Sequence, residues 1–159
     1  MAELDKARLR AELVAQLTAA HEAASRAHAA AIEGATHEEA RPENDKDTRG
    51  LEQSYLARGQ AQRVAELEAA VAAVTALALR RFGPGDPVAI SAVVTLDDDG
   101  ETKRLWLAPA GGGGVVAGDV QVVTPGSPLG RAVLGKRVDD EVELRLPGKQ
   151  RTLTVLAID

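Results

Sequence analysis

The sequence Val-Thr-Pro-Gly-Ser-Pro-Leu-Gly-Arg-Ala-Val-Leu-Gly-Lys, residues Val123 to Lys136, decides the fold of the second half of this chain. Ser127 is of a residue type that caps helix N-termini, and the proline after it suits the first helical position. Gly135 suits the left-handed conformation that often follows the last helical residue. Because Val-rich segments flank the stretch, it predicts a strand, one or two turns of helix, and a second strand.

The residues around this helix have the composition of strands. Val88 to Leu96 is rich in β-branched residues, and Asp99-Gly100 is a hairpin signal that joins it to a partner strand at Thr102 to Leu107. A loop at Gly111 to Gly114 follows. Further strands are predicted at Val120–Val123, Val142–Leu146 and Thr152–Ile158. We therefore expect a small antiparallel sheet wrapped on one short helix.

The first part of the chain has a helical pattern instead. Apolar residues and alanines recur at alternating spacings of three and four, the repeat that winds helices into coiled coils. The two runs are Leu13, Leu17, Ala20, Ala24, Ala27 and Ala31, and Ala57, Gln60, Val64, Leu67, Val71, Val74 and Ala78. Between them, Gly34-Ala35-Thr36 and Arg41 to Asp45 interrupt the pattern. We predict two long helices that fold back as an antiparallel hairpin, with its tip at residues 35–50.

A turn-rich cluster, Phe82 to Pro87, separates the two patterns. Of the seven prolines, Pro42 alone precedes this cluster. The sequence thus predicts an α+β chain with two domains. Residues 1–82 form the coiled-coil hairpin, and residues 83–159 form the small β domain.

Composition excludes several functional classes. The formal net charge of -5 argues against binding to exposed nucleic acid, which needs a basic surface. The chain has no cysteine, so disulfides and thiolate metal sites are excluded. The first ten residues are charged and lack the apolar core of a signal peptide, and no stretch is long and apolar enough for a membrane span. We expect a cytoplasmic protein.

These features together resemble the Gre family of bacterial transcript-cleavage factors. Gre C-terminal domains have an FKBP-like fold and carry a Ser-Pro-(Leu/Ile)-(Gly/Ala)-Arg segment that ends in Gly-Lys, as Ser127 to Lys136 does here. The resemblance implies that this domain docks at the rim of the RNA polymerase secondary channel, with Gly126, Ser127 and Pro128 on the docking surface. It also implies that the hairpin reaches the active centre and the nascent RNA.

The tip departs from the family pattern. Cleavage-competent members carry Gly-Asp-Leu-x-Glu-Asn, whose Asp and Glu present carboxylates to a catalytic magnesium ion in the polymerase. If Asp45 corresponds to that Asp, Thr48 stands at the Glu position, and the second carboxylate would come from Asp47 or Glu43. Tyr55 corresponds to the tyrosine of the family motif only at a shifted spacing.

The chemistry at such a tip follows from the preference of Mg²⁺ for hard oxygen ligands. A delivered carboxylate can help to hold an ion that activates water against a phosphodiester. Glu43, Asp45 and Asp47 are therefore our candidates for carboxylates that assist catalysis, with Asp45 and Asp47 as metal ligands shared with the polymerase. We expect the free protein to bind no metal. A solvated acidic loop is the alternative interpretation of these three residues.

Three functions are compatible with this pattern. The first is an accessory factor, not itself an enzyme, that stimulates cleavage of backtracked RNA by the polymerase. The second is a non-cleaving relative that occupies the same channel and modulates or inhibits transcription. The third is a coiled-coil adaptor that binds a different protein. We expect a monomer in each case.

Overall fold

The computed structural model describes residues 4–39 and 48–159 and has an α+β architecture. The helices are α1 (Lys6–Glu39), α2 (Thr48–Thr75) and α3 (Pro128–Val133). The strands are β1 (Val93–Asp98), β2 (Glu101–Leu107), β3 (Val115–Val116), β4 (Val120–Val123), β5 (Glu141–Leu146) and β6 (Lys149–Ile158). Two long helices thus precede a β domain with one short helix, as the sequence predicted.

The chain divides into two compact units. One consists of Met1–Val14 together with Ala72–Asp159, and the other is Ala15–Val71. The ends of the two long helices therefore belong to the same unit as the sheet. The division into two domains at residues 82 and 83 stays a prediction.

The helical unit, Ala15–Val71, follows the predicted repeat with one change. Its buried and half-buried repeat positions are Leu17, Ala20, Ala24, His28 and Ala31 on α1, and Ala57, Gln60, Val64, Leu67 and Val71 on α2. The predicted position Ala27 is exposed, and His28 takes its place, because a helix of 3.6 residues per turn drifts against a strict seven-residue repeat. Where Gly34 interrupts the apolar repeat, the helix itself continues, and α1 ends at Glu39. An isolated glycine weakens a helix by only about 1 kcal/mol relative to alanine.

The helix ends that belong to the sheet unit contribute four buried side chains. Arg10 Nη1 donates a hydrogen bond to the backbone carbonyl of Leu77 at 2.9 Å. Leu77 is buried and the predicted position Ala78 is exposed, because α2 ends at Thr75 and the helical spacing ends with it. The buried side chains are those of Leu9, Leu13, Val74 and Leu77.

Within the described residues, no helix has the length and apolar character needed to cross a membrane.

The sheet is mixed, which corrects the prediction of a fully antiparallel sheet. Its strand order is β3-β4-β2-β1-β6-β5. The pair β2–β4 is parallel, with Leu107 opposite Val123, and the other four pairs are antiparallel. Residues 108–119 connect the parallel pair, and a connection of about a dozen residues is what a parallel crossover needs.

The turn between β1 and β2 confirms the hairpin signal. Asp99 and Gly100 both have positive φ, 53° and 89°, as a two-residue type I′ turn requires. The strand before it is shorter than predicted, because β1 begins at Val93 rather than at Val88. Ser91, which is buried and has a φ of 82°, turns the chain before the strand begins.

Both faces of the sheet are buried. The first face forms a core with α3, whose Val133 is fully buried. On that face, Leu153, Val155 and Ile158 keep their inward direction because the β1–β6 pairing shifts register between Thr95 and Leu96. The other face carries the fully buried side chains of Val93, Trp106, Val116, Val120 and Val122.

Candidate functional site

The loop that enters α3 has the geometry that the sequence predicted for it. Ser127 is the N-cap, with extended φ and ψ of -72° and 158°, and Pro128 is the first helical residue. The Ser127 hydroxyl donates a hydrogen bond to the Thr124 carbonyl at 2.8 Å and accepts one from the Gly130 N–H at 3.0 Å. The Ser127 side chain therefore links the start of the loop, at Thr124, to the first turn of α3, at Gly130.

Gly130 shows how tightly this loop is closed. A Cβ built on Gly130 would lie 1.9 Å from the Thr124 carbonyl oxygen and 3.0 Å from the Ser127 hydroxyl oxygen. Because the nearest atoms belong to backbone, no side chain can rotate away to make room. The helix also ends as predicted, with Gly135 at a φ of 80°.

The outer side of the loop is open to solvent. Gly126 and Pro128 are exposed, whereas Ser127 is half-buried by its capping role. A Cβ at Gly126 would meet no atom within 4 Å. Arg131, at the end of α3, is also exposed, and the sequence reasoning did not select it. The loop thus presents a fixed backbone with two small exposed residues and a cation one helical turn away.

A buried charge cluster holds the β1–β2 hairpin. Asp98 is 7% exposed, accepts a hydrogen bond from Lys103 Nζ at 2.5 Å and forms an ion pair with Arg151 Nη1 at 3.2 Å. The hydrogen bond from Lys103 is the largest influence, and with the Arg151 charge it holds the pKa of Asp98 below its usual value despite the burial. The Asp98 carboxylate pairs with both the Lys103 and the Arg151 cation, so the cluster stabilises the fold and leaves no open site for a ligand.

The predicted tip carboxylates Glu43, Asp45 and Asp47 lie outside the described residues. Thr48, which stands at the family Glu position, is the first residue of α2. In the ranges 4–39 and 48–159, no group of three or more His, Asp or Glu side chains could hold a metal ion. The metal-ligand assignment to Asp45 and Asp47 therefore stays a prediction.

The start of α2 exposes three large side chains beside the tip. Leu51, Tyr55 and Leu56 are each more than half exposed. The Arg58 guanidinium lies 6.0 Å from the centre of the Tyr55 ring, at the outer limit of a cation–π contact. These residues offer an apolar and aromatic surface near the predicted tip, which the coiled-coil repeat does not use.

Comparison with known proteins places the β domain in a family. The family model described as "Transcription elongation factor, GreA/GreB, C-term" matches residues 83–159. Transcription elongation factor GreA of Sphingopyxis alaskensis is 34% identical over 76 residues, which cover 47% of this chain and 46% of that protein. GreA of Bradyrhizobium diazoefficiens is 29% identical over 104 residues, which cover 61% of this chain and 60% of that protein. The chain therefore spans less than two thirds of the length of these relatives.

Two solved structures align with most of this chain, at low overall structural similarity. Gfh1 of Thermus thermophilus is 25% identical, with 92% of this chain and 94% of that chain covered and a TM-score of 0.40. Gfh1 of Thermus aquaticus is 24% identical, with 90% and 91% covered and a TM-score of 0.42. Residues 83–159 match the GreA/GreB C-terminal domain, and this match relates the β domain of the chain to the Gre family of transcription elongation factors.

Proposed function

We propose that this chain binds RNA polymerase through its C-terminal domain, at the rim of the secondary channel, and stimulates cleavage of backtracked RNA. The observation that carries the proposal is the closed loop before α3, which lies inside the family-matched domain and exposes Gly126 and Pro128. In this proposal the chain is an accessory factor, and the nuclease activity is that of the polymerase. The monomeric state and the cytoplasmic location remain predictions.

The closed loop suits docking because its backbone is already ordered. Two hydrogen bonds of the Ser127 hydroxyl and the close approach of Gly130 to Thr124 hold the loop before any partner arrives. A preorganised surface loses little conformational entropy on binding. Small exposed residues at Gly126 and Pro128 also allow a partner surface to approach the backbone closely.

Gly126→Glu tests the docking surface. We expect the variant to fold normally, because a side chain at this position meets open space. We expect its affinity for core RNA polymerase to fall at least tenfold, since the partner surface would have to accommodate a bulky charge. Lys149→Gln is the matched control, because it also changes the net charge by one unit and lies at the exposed start of β6. Equal affinity of both variants would refute the docking assignment.

The tip would act through Asp45 and Asp47, with Glu43 as the third candidate carboxylate. Carboxylate oxygens are the ligands that Mg²⁺ prefers, and an ion shared with the polymerase would supply an activated water for phosphodiester hydrolysis. This chain would contribute the carboxylate oxygen atoms, which belong to the segment of sequence between Glu39 and Thr48, the described ends of the two helices.

A cleavage assay tests the tip assignment. Purified protein is added with Mg²⁺ to a stalled, backtracked elongation complex, and the transcript length is followed. We expect the protein to shorten the transcript. The double variant Asp45→Asn, Asp47→Asn should bind with unchanged affinity and leave the transcript intact. Glu66→Gln, Glu68→Gln carries the same charge change on exposed positions of α2 and should retain activity. Full activity of the tip variant would refute the assignment.

Thr48 favours a second candidate, the non-cleaving modulator, because it leaves the family Glu position without a carboxylate. The same assay separates the two functions. A modulator would leave transcripts intact and would reduce the cleavage that an active GreA stimulates, in proportion to its occupancy of the polymerase. A protein that does neither and does not bind polymerase would fit only the adaptor interpretation.

A further inference from the structure

A cleft lies beside the first turn of α1, within the unit that contains the sheet. Its volume is about 490 Å³, and Lys6, Arg80, Arg81, Phe82 and Asp159 contribute to its lining. The residues come from three places in the sequence: the start of α1, the segment after α2, and the residue after β6. None of these residues belongs to a sequence motif that predicts a function.

Lys6 is held in this cleft by contacts that leave its amine free to react. Its Nζ donates one hydrogen bond to the Arg80 backbone carbonyl at 2.6 Å. The same Nζ lies 4.7 Å from the centre of the Phe82 ring, and the Arg80 guanidinium lies 4.8 Å from that ring. A neutral amine keeps the hydrogen bond to the carbonyl and has a lone pair for attack.

The surroundings increase the fraction of neutral amine at physiological pH. Burial lowers the pKa of Lys6 to about 8; the Asp159 carboxylate opposes this change and the Arg80 cation adds to it. Two further charged side chains line the cleft, those of Asp5 and Arg81. The Asp5 carboxylate accepts the Ala7 N–H at 3.0 Å and so is occupied at the start of the helix. A lysine with a pKa near 8 is neutral in roughly a fifth of molecules at about pH 7.4.

We propose that Lys6 is a site of acylation by small acyl phosphates, with its Nζ as the nucleophile and the arginines of the cleft as the binding groups for the phosphate. The lone pair of Nζ attacks the acyl carbon, an N–C bond forms, and the C–O bond to the phosphate breaks. The amine proton leaves with the phosphate as hydrogen phosphate. The products are an amide at Lys6 and inorganic phosphate, and the step needs no oxidant or reductant.

Two of the other described lysines, Lys103 and Lys149, have different surroundings. The Lys103 amine donates a hydrogen bond to the buried Asp98 carboxylate. Lys149 is exposed at the start of β6. A desolvated lysine beside another cation is the environment that activates amine nucleophiles in proteins. The lower basicity of Lys6 reduces its intrinsic nucleophilicity, but by less than the gain from the larger fraction of neutral amine. We therefore expect Lys6 to be acylated about tenfold faster than Lys149 at neutral pH.

Acylation at Lys6 would also change the structure locally. It would remove the charge that contacts the Phe82 ring and one donor hydrogen of Nζ. The contact between the start of α1 and the segment after α2 would weaken. The modification would thus act at the base of the helical hairpin, far along the chain from the predicted tip residues.

Site-resolved labelling of the full chain with acetyl phosphate tests the proposal. Cleavage after glutamate gives the peptide of residues 4–12, which contains Lys6 and is separate from the N-terminal amine, and the peptide of residues 144–159, which contains Lys149. We expect Lys6 to be acetylated about tenfold faster than Lys149 at about pH 7.4, with a rate that rises with pH and levels off above about pH 8 to 9. Equal rates, or a Lys6 rate that keeps rising like that of Lys149, would overturn the proposal.

Arg80→Gln tests the role of the arginines. It removes the guanidinium and keeps the backbone carbonyl that holds Lys6. We expect it to slow labelling by acetyl phosphate at least threefold and to change labelling by acetic anhydride, which has no phosphate, much less. Arg145→Gln, at an exposed position of β5, is the matched control and should change neither rate. Equal slowing with both reagents would refute phosphate binding by the cleft.

Discussion

Although the family segment admits alanine at this position, Gly130→Ala is expected to destabilise the β domain of this chain more than any other single methyl addition in the loop before α3, because the loop closes on Gly130. The new Cβ would lie 1.9 Å from the Thr124 carbonyl oxygen and 2.9 Å from the Thr124 carbonyl carbon. Real Cβ atoms approach other heavy atoms no closer than about 3 Å, so the backbone must move by about 1 Å. That movement separates the Gly130 N–H from the Ser127 hydroxyl and weakens the N-cap.

The magnitude follows from two opposing effects. Overpacking against a fixed backbone destabilises by about 1–3 kcal/mol, and loss of an N-cap by about 0.5–2 kcal/mol. Alanine gains at most about 1 kcal/mol over glycine through helix propensity. We therefore expect the free energy of unfolding to fall by about 2–4 kcal/mol, which lowers the melting temperature by an amount on the order of 10 °C.

The assay is thermal or urea unfolding followed by tryptophan fluorescence. Trp106 is the only tryptophan and is fully buried in the sheet unit, so its signal reports on that unit rather than on the helical one. Gly126→Ala is the matched control: it makes the same substitution four residues earlier, where the new methyl group meets no atom within 4 Å. Equal stability of the two variants would refute the argument that the loop is closed on Gly130.

Three further substitutions test the packing around the sheet. Asp98→Asn should destabilise the protein in urea unfolding at neutral pH. The Lys103 hydrogen bond lowers the pKa of Asp98, so the charged carboxylate stabilises the folded state and this stabilisation is lost when the carboxylate is protonated. The difference in the free energy of unfolding between wild type and variant should therefore shrink as the pH falls below the ordinary aspartate pKa of 3.8. Trp106→Phe should change the free energy of unfolding, measured by circular dichroism, by no more than about 1 kcal/mol. The buried indole N–H has no partner among the described residues, so its removal is favourable and offsets the packing that the smaller ring loses. Gly111→Ala should lower stability by about 1–3 kcal/mol, because Gly111 has a φ of 83° and its new Cβ would lie 2.8 Å from the Leu13 side chain; unchanged melting would contradict this.

Local features of this fold could be predicted from the sequence because their causes are local. The Ser127 cap, the Gly135 helix end and the Asp99-Gly100 turn each depend on the dihedral preferences and hydrogen bonds of residues within four positions. The two long helices also followed from their apolar repeat. The resemblance to the Gre family rested on the same short segment, and the match over residues 83–159 confirmed it.

The prediction of a fully antiparallel sheet failed on contacts between residues far apart in the chain. The parallel pairing of β2 with β4 depends on the path of the connection between them, and no residue in either strand specifies it. Glu12 accepts the N–H of Ala117 at 2.9 Å across 105 residues of sequence, and the Ser91 hydroxyl accepts the Arg80 N–H at 3.0 Å. Neither contact has a sequence motif, so neither could be foreseen.

By itself, the sequence determined the order and kind of the elements, the caps and turns between them, the family of the β domain and the candidate carboxylates at the tip. Only the tertiary structure decided the mixed sheet, the closure of the loop on Gly130 and the reactive surroundings of Lys6. The physical reason is the range of the forces involved. Dihedral preferences and capping hydrogen bonds act over a few residues, whereas burial, steric closure and the pKa of an amine depend on atoms that only folding brings together.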